Sequence, residues 1–160
     1  MQSGAGGNWK RSHERHDDAI IQQISDDSCM AAVGQMLLRA RGIDVPQEKI
    51  SDIIGEPAAS SDLAEALNQF DKSCEGKKWS GEFLDDLASL GNLFEKVEPG
   101  CFAVILREPP SSIGHAVILA GILDNGLVEI EDPYDQTSYK MTIEDFDAHW
   151  GLEVIALWEW

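Results

Sequence analysis

The sequence predicts an α+β fold in which helices come first along the chain and antiparallel strands follow. Up to about residue 90, apolar residues recur at the spacing of amphipathic helices. Beyond that point, short apolar runs are bounded by proline and glycine, as is typical of buried strands. The triplet Asp124-Asn125-Gly126 between two such runs indicates a β-hairpin. A length of 160 residues favours a single domain with a sizeable core.

Four helices are predicted in the first half of the chain. The first begins near Ser28, where Asp27 or Ser28 can cap it, and it ends at Arg41-Gly42. Its buried face carries Val33, Met36, Leu37 and Ala40, which recur at i, i+3, i+4 and i+7. The later helices are predicted to begin at Pro46, to span Ser61–Phe70 and to span Ser80–Leu90.

The second half is predicted to form strands with one short helix among them. The strands are expected at Cys101–Leu106, His115–Leu123, Leu127–Glu131 and Leu152–Trp160. The middle two of these are the arms of the predicted hairpin. Thr142 is placed to cap the short helix, which runs at least to Phe146.

Residues 1–17 are predicted to form a flexible N-terminal arm, and residues 18–160 to form the folded domain. The polar, glycine-rich start has no apolar core and is therefore not a secretory signal peptide. It is similar to a linker or to the cut edge of a longer protein. No run approaches 18 apolar residues, so no segment is expected to span a membrane. We expect a cytoplasmic protein, or one delivered into a target cell as part of a larger secreted protein.

The composition is strongly acidic, with 29 Asp and Glu against 12 Lys and Arg and a net charge of -17. A charge of this sign argues against nucleic acid and anionic membrane surfaces as partners. It favours a basic substrate or partner, although solubility alone would also explain it. The proportions of apolar and charged residues, 43% and 26%, are typical of soluble globular proteins.

The three cysteines, Cys29, Cys74 and Cys101, are odd in number and irregularly spaced, so they do not predict a disulfide framework. No C-x-x-C pair suggests zinc, and we expect neither a metal nor another cofactor. Reduced thiol chemistry fits this pattern better. Cys74 is predicted to be a loop thiol and Cys101 a core residue, which leaves Cys29 as the candidate for chemistry.

Cys29 opens the first predicted helix, where unpaired N–H groups and the helix dipole lower the pKa of a thiol and favour the thiolate. His115 is the only histidine in a strand-like apolar run, and it could take the thiol proton and return it to a leaving group. Gln23, six residues before Cys29, could donate to the oxyanion of acyl transfer together with the Cys29 N–H. Gln22 is adjacent, so the choice between the two glutamines stays open. Each residue alone also fits an ordinary structural role.

The acid that orients the histidine could be Asp132 or Asp135. Alternation along the second arm of the hairpin points Asp132 inward. A strict two-residue turn would nevertheless place Asp132 four residues, about 13 Å, along the sheet from His115. Asp132 can reach His115 only if the turn is longer or a bulge intervenes, for example near Gly121. Asp135 is the reserve candidate.

The chain resembles the papain-like cysteine peptidases over residues 20–160. The order of a glutamine, a cysteine, a histidine and an aspartate matches theirs, as does the gap of six from glutamine to cysteine. Its motifs are Ser28-Cys29-Met30-Ala31-Ala32, Gly114-His115-Ala116-Val117 and Asp132-Pro133. These are similar to the motifs of compact bacterial members, the bacteriocin-leader peptidases and the papain-like effector proteases and toxins. Met30 departs from both groups, which usually carry glycine or tryptophan at this position.

The resemblance implies a papain-like fold, with the catalytic cysteine at a helix N-terminus packed on a C-terminal antiparallel sheet. It also implies the roles of four residues: Cys29 as nucleophile, His115 as base, Asp132 as orienting acid and Gln23 as oxyanion donor. It favours Asp132 over Asp135.

The implied activity is that of a cysteine endopeptidase acting through an acyl-enzyme, as the toxin or effector domain of a larger bacterial secreted protein. Its partners would be a protein or peptide substrate, for which the net charge of -17 favours a basic segment, and a cognate inhibitor or immunity protein. The same thioester chemistry also permits deamidation or acyl transfer. A peptide-binding module without turnover is a third interpretation.

Overall fold

Helices and a single antiparallel sheet make up the protein in a computed structural model, which describes residues 9–25, 28–55, 58–72, 76–86, 91, 102–108 and 114–159. The helices are α1 (Cys29–Ala40), α2 (Gln47–Ile54), α3 (Ser60–Phe70) and the short α4 (Ile143–His149). The strands are β1 (Ser12–His16), β2 (Lys77–Phe83), β3 (Ala103–Arg107), β4 (Gly114–Ile122), β5 (Leu127–Asp132), β6 (Thr137–Thr142) and β7 (Trp150–Glu159). The predicted α+β class is confirmed.

The sheet has the strand order β1-β6-β5-β4-β3-β7-β2, so β4 lies at its centre. Its two faces bury separate apolar clusters. Ala116 and Ile118 of β4 belong to the cluster under α1, α2 and α3, whereas Val117 and Leu119 belong to the cluster on the opposite face. Because side chains alternate along a strand, His115 lies on the same face as Val117.

Most predicted helices are confirmed to within one or two residues. Gly42 has φ 79 just beyond the end of α1, the left-handed conformation expected after a last turn. Thr142 caps α4, because its hydroxyl accepts a hydrogen bond from the Asp145 N–H at 3.1 Å. Ala40 was expected in the core but is exposed at the end of α1, and Pro46 precedes the first residue of α2. Among the residues that the structure describes, no helix is long and apolar enough to cross a bilayer.

The predicted helix over Ser80–Leu90 is wrong in its first residues, which form β2. This strand pairs with β7 along its whole length, and that pairing outweighs the local helical pattern. Gly81 permits close packing against α3, because a Cβ there would lie 2.9 Å from the Ser60 backbone. Residues 87–90 lie outside the described part of the chain.

The prediction of a flexible arm over residues 1–17 is wrong for its described part. Ser12–His16 pairs with β6 as an edge strand of the sheet. Trp9 is buried on the face of the sheet opposite the three long helices. The arm was predicted from its polar composition, but a single buried indole and strand pairing are enough to hold it against the domain.

The β4–β5 hairpin departs from a strict two-residue turn in two ways. The Leu123 and Leu127 backbones pair across a three-residue loop, in which Gly126 has φ 82. The register also shifts by one residue between Leu119 and Gly121, which is a β-bulge. Both alternatives considered for bringing Asp132 towards His115, a longer turn and a bulge near Gly121, are therefore present.

Candidate active site

Cys29 is the first residue of α1 and is 9% exposed. Ser28 occupies the N-cap position, but its hydroxyl does not cap the helix. It bonds instead to the backbone of Ser25, accepting from the N–H at 2.8 Å and donating to the carbonyl at 2.9 Å. These bonds join Ser28 to Ser25, and the Cys29 thiol lies at the positive end of the helix. Asp27, the other predicted cap, lies outside the described residues, as do Cys74 and Cys101.

His115 and Asp132 form a buried pair, with 2.6 Å between His115 Nε2 and Asp132 Oδ1. The imidazole is 8% exposed and the carboxylate is fully buried. The pair forms because Ile118 lies opposite Glu131, which places Asp132 diagonal to His115 on one face of the sheet. Gly114, just before the histidine, is closely packed: a Cβ there would lie 2.3 Å from the Ile105 side chain.

The Cys29 thiol lies against the start of β4, where the Ala116 N–H donates to Sγ at 3.5 Å. Because His115 Nε2 is directed at Asp132, Nδ1 is the ring nitrogen left to interact with the thiol. The thiol comes from α1, which packs on one face of the sheet. The imidazole and the carboxylate come from β4 and β5 and belong to the other face.

The electrostatics favour a thiolate beside an imidazolium. Burial alone would raise the pKa of the Cys29 thiol, but the hydrogen bond and charge of His115, with the Ala116 N–H, outweigh it and lower the pKa. Burial alone would lower the pKa of His115, but the Asp132 charge and hydrogen bond, aided by Cys29, raise it to about 10. Burial raises the pKa of Asp132, and the charge and hydrogen bond of His115 act against that rise.

Gln23 is buried next to the loop before α1, whereas Gln22 is exposed. The Gln23 side-chain amide donates to the Ser25 carbonyl at 2.8 Å, and its backbone N–H donates to the Pro133 carbonyl at 3.0 Å. The second bond ties the segment before the cysteine to the turn after Asp132. Of the two glutamines, Gln23 is the one enclosed by the structure.

Gln47 holds the Gln23 segment in place, a role with no clear sequence signal. Its side chain is 4% exposed and bonds the backbone on both sides of Gln23. It donates to the Gln22 carbonyl at 2.9 Å and accepts from the Ile24 N–H at 3.0 Å. An amide that satisfies a donor and an acceptor of one extended segment fixes its path as a neighbouring strand would.

Asp132 has further donors that the sequence analysis did not identify. The Tyr134 N–H donates to Oδ1 at 2.9 Å, and the Tyr139 hydroxyl donates to Oδ2 at 2.8 Å. Strand alternation could have indicated Tyr139, because Asp132 pairs with Thr137 and Tyr139 is the next residue on that face. Asp135, the reserve acid, is exposed and has φ 56.

Known proteins similar to this chain include a cysteine protease and the peptidase domains of transporters. Residues 16–153 match the Peptidase_C39 like family. The chain is 35% identical over 151 residues to a protein of Escherichia coli O1:K1:H7 named cysteine protease effector 1. The match covers 94% of this chain and 29% of that protein, so the chain spans less than a third of its relative's length.

Several solved structures share the fold, among them two peptidases from transporters. One is the peptidase domain of Streptococcus ComA, a bifunctional ABC transporter of a quorum-sensing pathway, with a TM-score of 0.70 and 18% identity over 88% of this chain and 97% of that one. The other is a double glycine motif protease from an AMS/PCAT transporter in complex with a leader peptide, with a TM-score of 0.67 and 18% identity over 94% of each chain. The chain therefore belongs to the Peptidase_C39 like family and is a cysteine peptidase with a papain-like fold.

Proposed function

We propose that this chain is an endopeptidase whose catalytic triad is Cys29, His115 and Asp132, with Gln23 as an oxyanion donor. The observation that carries the proposal is that a thiol, an imidazole and a carboxylate are buried side by side, with 2.6 Å between His115 Nε2 and Asp132 Oδ1. Such an arrangement favours the nucleophilic form of the thiol.

In acylation, the Cys29 thiolate attacks the carbonyl carbon of a peptide bond, and the carbonyl oxygen becomes an oxyanion. The Cys29 N–H and the Gln23 side-chain amide donate to that oxygen. The His115 imidazolium then gives its proton to the amine nitrogen as the carbon–nitrogen bond breaks. The amine product leaves, and the acyl group remains on Sγ as a thioester.

In deacylation, the neutral imidazole of His115 takes a proton from water, and the hydroxide formed attacks the thioester carbon. The carbon–sulfur bond breaks, Cys29 returns as a thiolate and the carboxylic acid product departs. Asp132 holds the imidazole in one orientation in both steps and stabilises its charged form.

At the level of the whole protein, we propose an effector role in which this chain cleaves a protein inside a recipient cell. The 35% identity to a protein named cysteine protease effector 1 supports it. A peptide substrate is supported by the related protease that was solved with a leader peptide. The net charge of -17 favours a basic substrate segment. A bacterium that makes such a protein would need a cognate inhibitor.

Loss of a triad residue should abolish peptide cleavage. We expect Cys29→Ala and His115→Ala to be inactive, and Asp132→Asn to lose at least about 100-fold in kcat/KM, because the amide no longer holds the charged imidazole. Asp135→Asn is the matched control and should cleave normally. A peptide library of mixed charge, analysed by mass spectrometry, is the measurement; basic peptides should be cut faster than acidic ones of equal length.

New termini would identify hydrolysis, whereas a gain of about one dalton without cleavage would identify a deamidase. Full activity of Asp132→Asn, or equal losses in Asp132→Asn and Asp135→Asn, would remove Asp132 from the triad.

Cleavage and alkylation should respond differently to pH. Iodoacetamide needs only the thiolate, so its rate at Cys29 should rise below the usual thiol range, because the pKa of Cys29 is lowered, and then stay high. Cleavage also needs the proton on His115, so kcat/KM should fall as pH rises through about 10. In His115→Ala, burial without the imidazolium should move alkylation to higher pH. Alkylation that is indifferent to His115 would contradict the thiolate–imidazolium pair.

Gln23→Ala should lower kcat of peptide cleavage by about 10²- to 10³-fold, the usual effect of losing one oxyanion donor. The same variant should keep the iodoacetamide rate of Cys29, because alkylation builds no oxyanion. Gln22→Ala is the matched control and should retain normal cleavage, since that side chain is exposed. Loss of alkylation in Gln23→Ala would instead indicate a collapsed site.

Production of the chain in a bacterial cytoplasm tests the effector role. We expect growth arrest with the wild type and normal growth with Cys29→Ala at equal expression, because the damage requires turnover. Equal growth of the two cultures in every recipient tried, or equal arrest, would count against a proteolytic effector.

A further inference from the structure

We propose that Tyr139 and Trp9 are positioning residues that hold Asp132, and through it His115, in the catalytic orientation. This inference rests on the proposed triad. It extends the site to Trp9, which lies before the family match that begins at residue 16.

The first link is the hydroxyl of Tyr139. It donates its one proton to Asp132 Oδ2 at 2.8 Å, while His115 Nε2 lies 2.6 Å from Oδ1. Tyr139 is 1% exposed, so water cannot replace this donor without opening the core. Burial, followed by the Asp132 charge, raises the pKa of Tyr139 well above its usual range, so the phenol keeps its proton.

The consequence for Asp132 is a carboxylate bonded through both oxygens. With a donor on only one oxygen, the carboxylate could turn about its last side-chain bond and misdirect the oxygen that faces His115. A donor on each oxygen prevents this rotation. The hydroxyl also offsets part of the free energy of burying a charge.

The second link is the indole of Trp9. Its Nε1–H donates to the Tyr139 hydroxyl oxygen at 3.1 Å, so the hydroxyl accepts from Trp9 and donates to Asp132. Hydrogen bonds in such a chain polarise one another. The indole ring also lies with its centroid 6.1 Å from that of His115 and 5.6 Å from that of His149, and it is 5% exposed. The buried Trp9 ring therefore packs beside the His115 ring.

The third link is the strand that carries Trp9 to the site. β1 pairs with β6, the strand that holds Tyr139, through Ser12 and Lys140, Arg15 and Ser138, and His16 and Thr137. Arg11 adds a hydrogen bond to the Trp9 carbonyl at 3.1 Å and lies over the Tyr139 ring at 5.9 Å. The N-terminal segment and the acid of the triad are thus joined through one strand.

Peptide cleavage by single and double variants tests the proposal. Tyr139→Phe removes one hydroxyl, and we expect kcat to fall by about 10- to 100-fold with little change in KM, as for a buried charged acceptor that loses a donor. Trp9→Phe removes the indole N–H and should lower kcat by about 3- to 10-fold.

Double variants separate positioning from general stability. If Tyr139 acts through Asp132, Tyr139→Phe should have almost no further effect in an Asp132→Asn background, and Trp9→Phe almost none in a Tyr139→Phe background. The matched control is Trp79→Phe, which removes a buried indole hydrogen bond, 3.1 Å long, to Asp71. Trp79 lies three strands from β4, about 14 Å. Trp79→Phe should lower the melting temperature but preserve kcat.

Wild-type kcat in Tyr139→Phe, or effects that multiply in full with those of Asp132→Asn, would overturn the inference. If Tyr139→Phe does not fold, Trp9→Phe keeps an aromatic ring in place, and wild-type kcat in that variant would overturn the inference equally. Failure of the triad itself is distinguishable, because Asp132→Asn alone would then cleave normally.

Discussion

The contact between His115 and Asp132 depends on the register of the β4–β5 hairpin. Side chains alternate along a strand, so a shift of one residue in the pairing moves a side chain to the other face of the sheet. The three-residue loop and the bulge between Leu119 and Gly121 each shift the pairing by one. Either change alone would put Asp132 on the face opposite His115. Together they restore the face and bring Asp132 to the diagonal position.

Burial of the site opposes each of its charges taken singly. A buried thiolate, imidazolium or carboxylate without a partner would be costly and would neutralise. Cys29, His115 and Asp132 offset this cost for one another. The backbone N–H groups of Ala116 and Tyr134 offset a further part of it, because they donate to the thiol sulfur and to the carboxylate. The thiolate, the imidazolium and the carboxylate are therefore stable only when the three residues are together. Removal of one member changes the protonation of the others, which is why single substitutions should have large effects.

The helix that carries Cys29 and the strand that carries His115 could be predicted from sequence, because apolar spacing, the glycine after the last helical turn and strand alternation are local signals. The inward direction of Asp132 was predictable for the same reason. Its distance from His115 was not, because a single additional loop residue changes the register. β2 and the docking of Trp9 were missed because strand pairing and burial join distant residues; Trp9 and Tyr139 are 130 positions apart. Polar composition indicated a mobile arm, but burial of Trp9 and the pairing of β1 with β6 hold this segment against the domain.

The backbone hydrogen bond from Gln23 to Pro133 joins the segment before Cys29 to the turn after Asp132. Gln47 holds the same segment from the side of α2. The segment around Gln23 therefore cannot separate from the turn after β5 unless this hydrogen bond breaks. We infer that the Gln23 segment and the turn after Asp132 open together in local fluctuations, so their amide protons should exchange with solvent at similar rates.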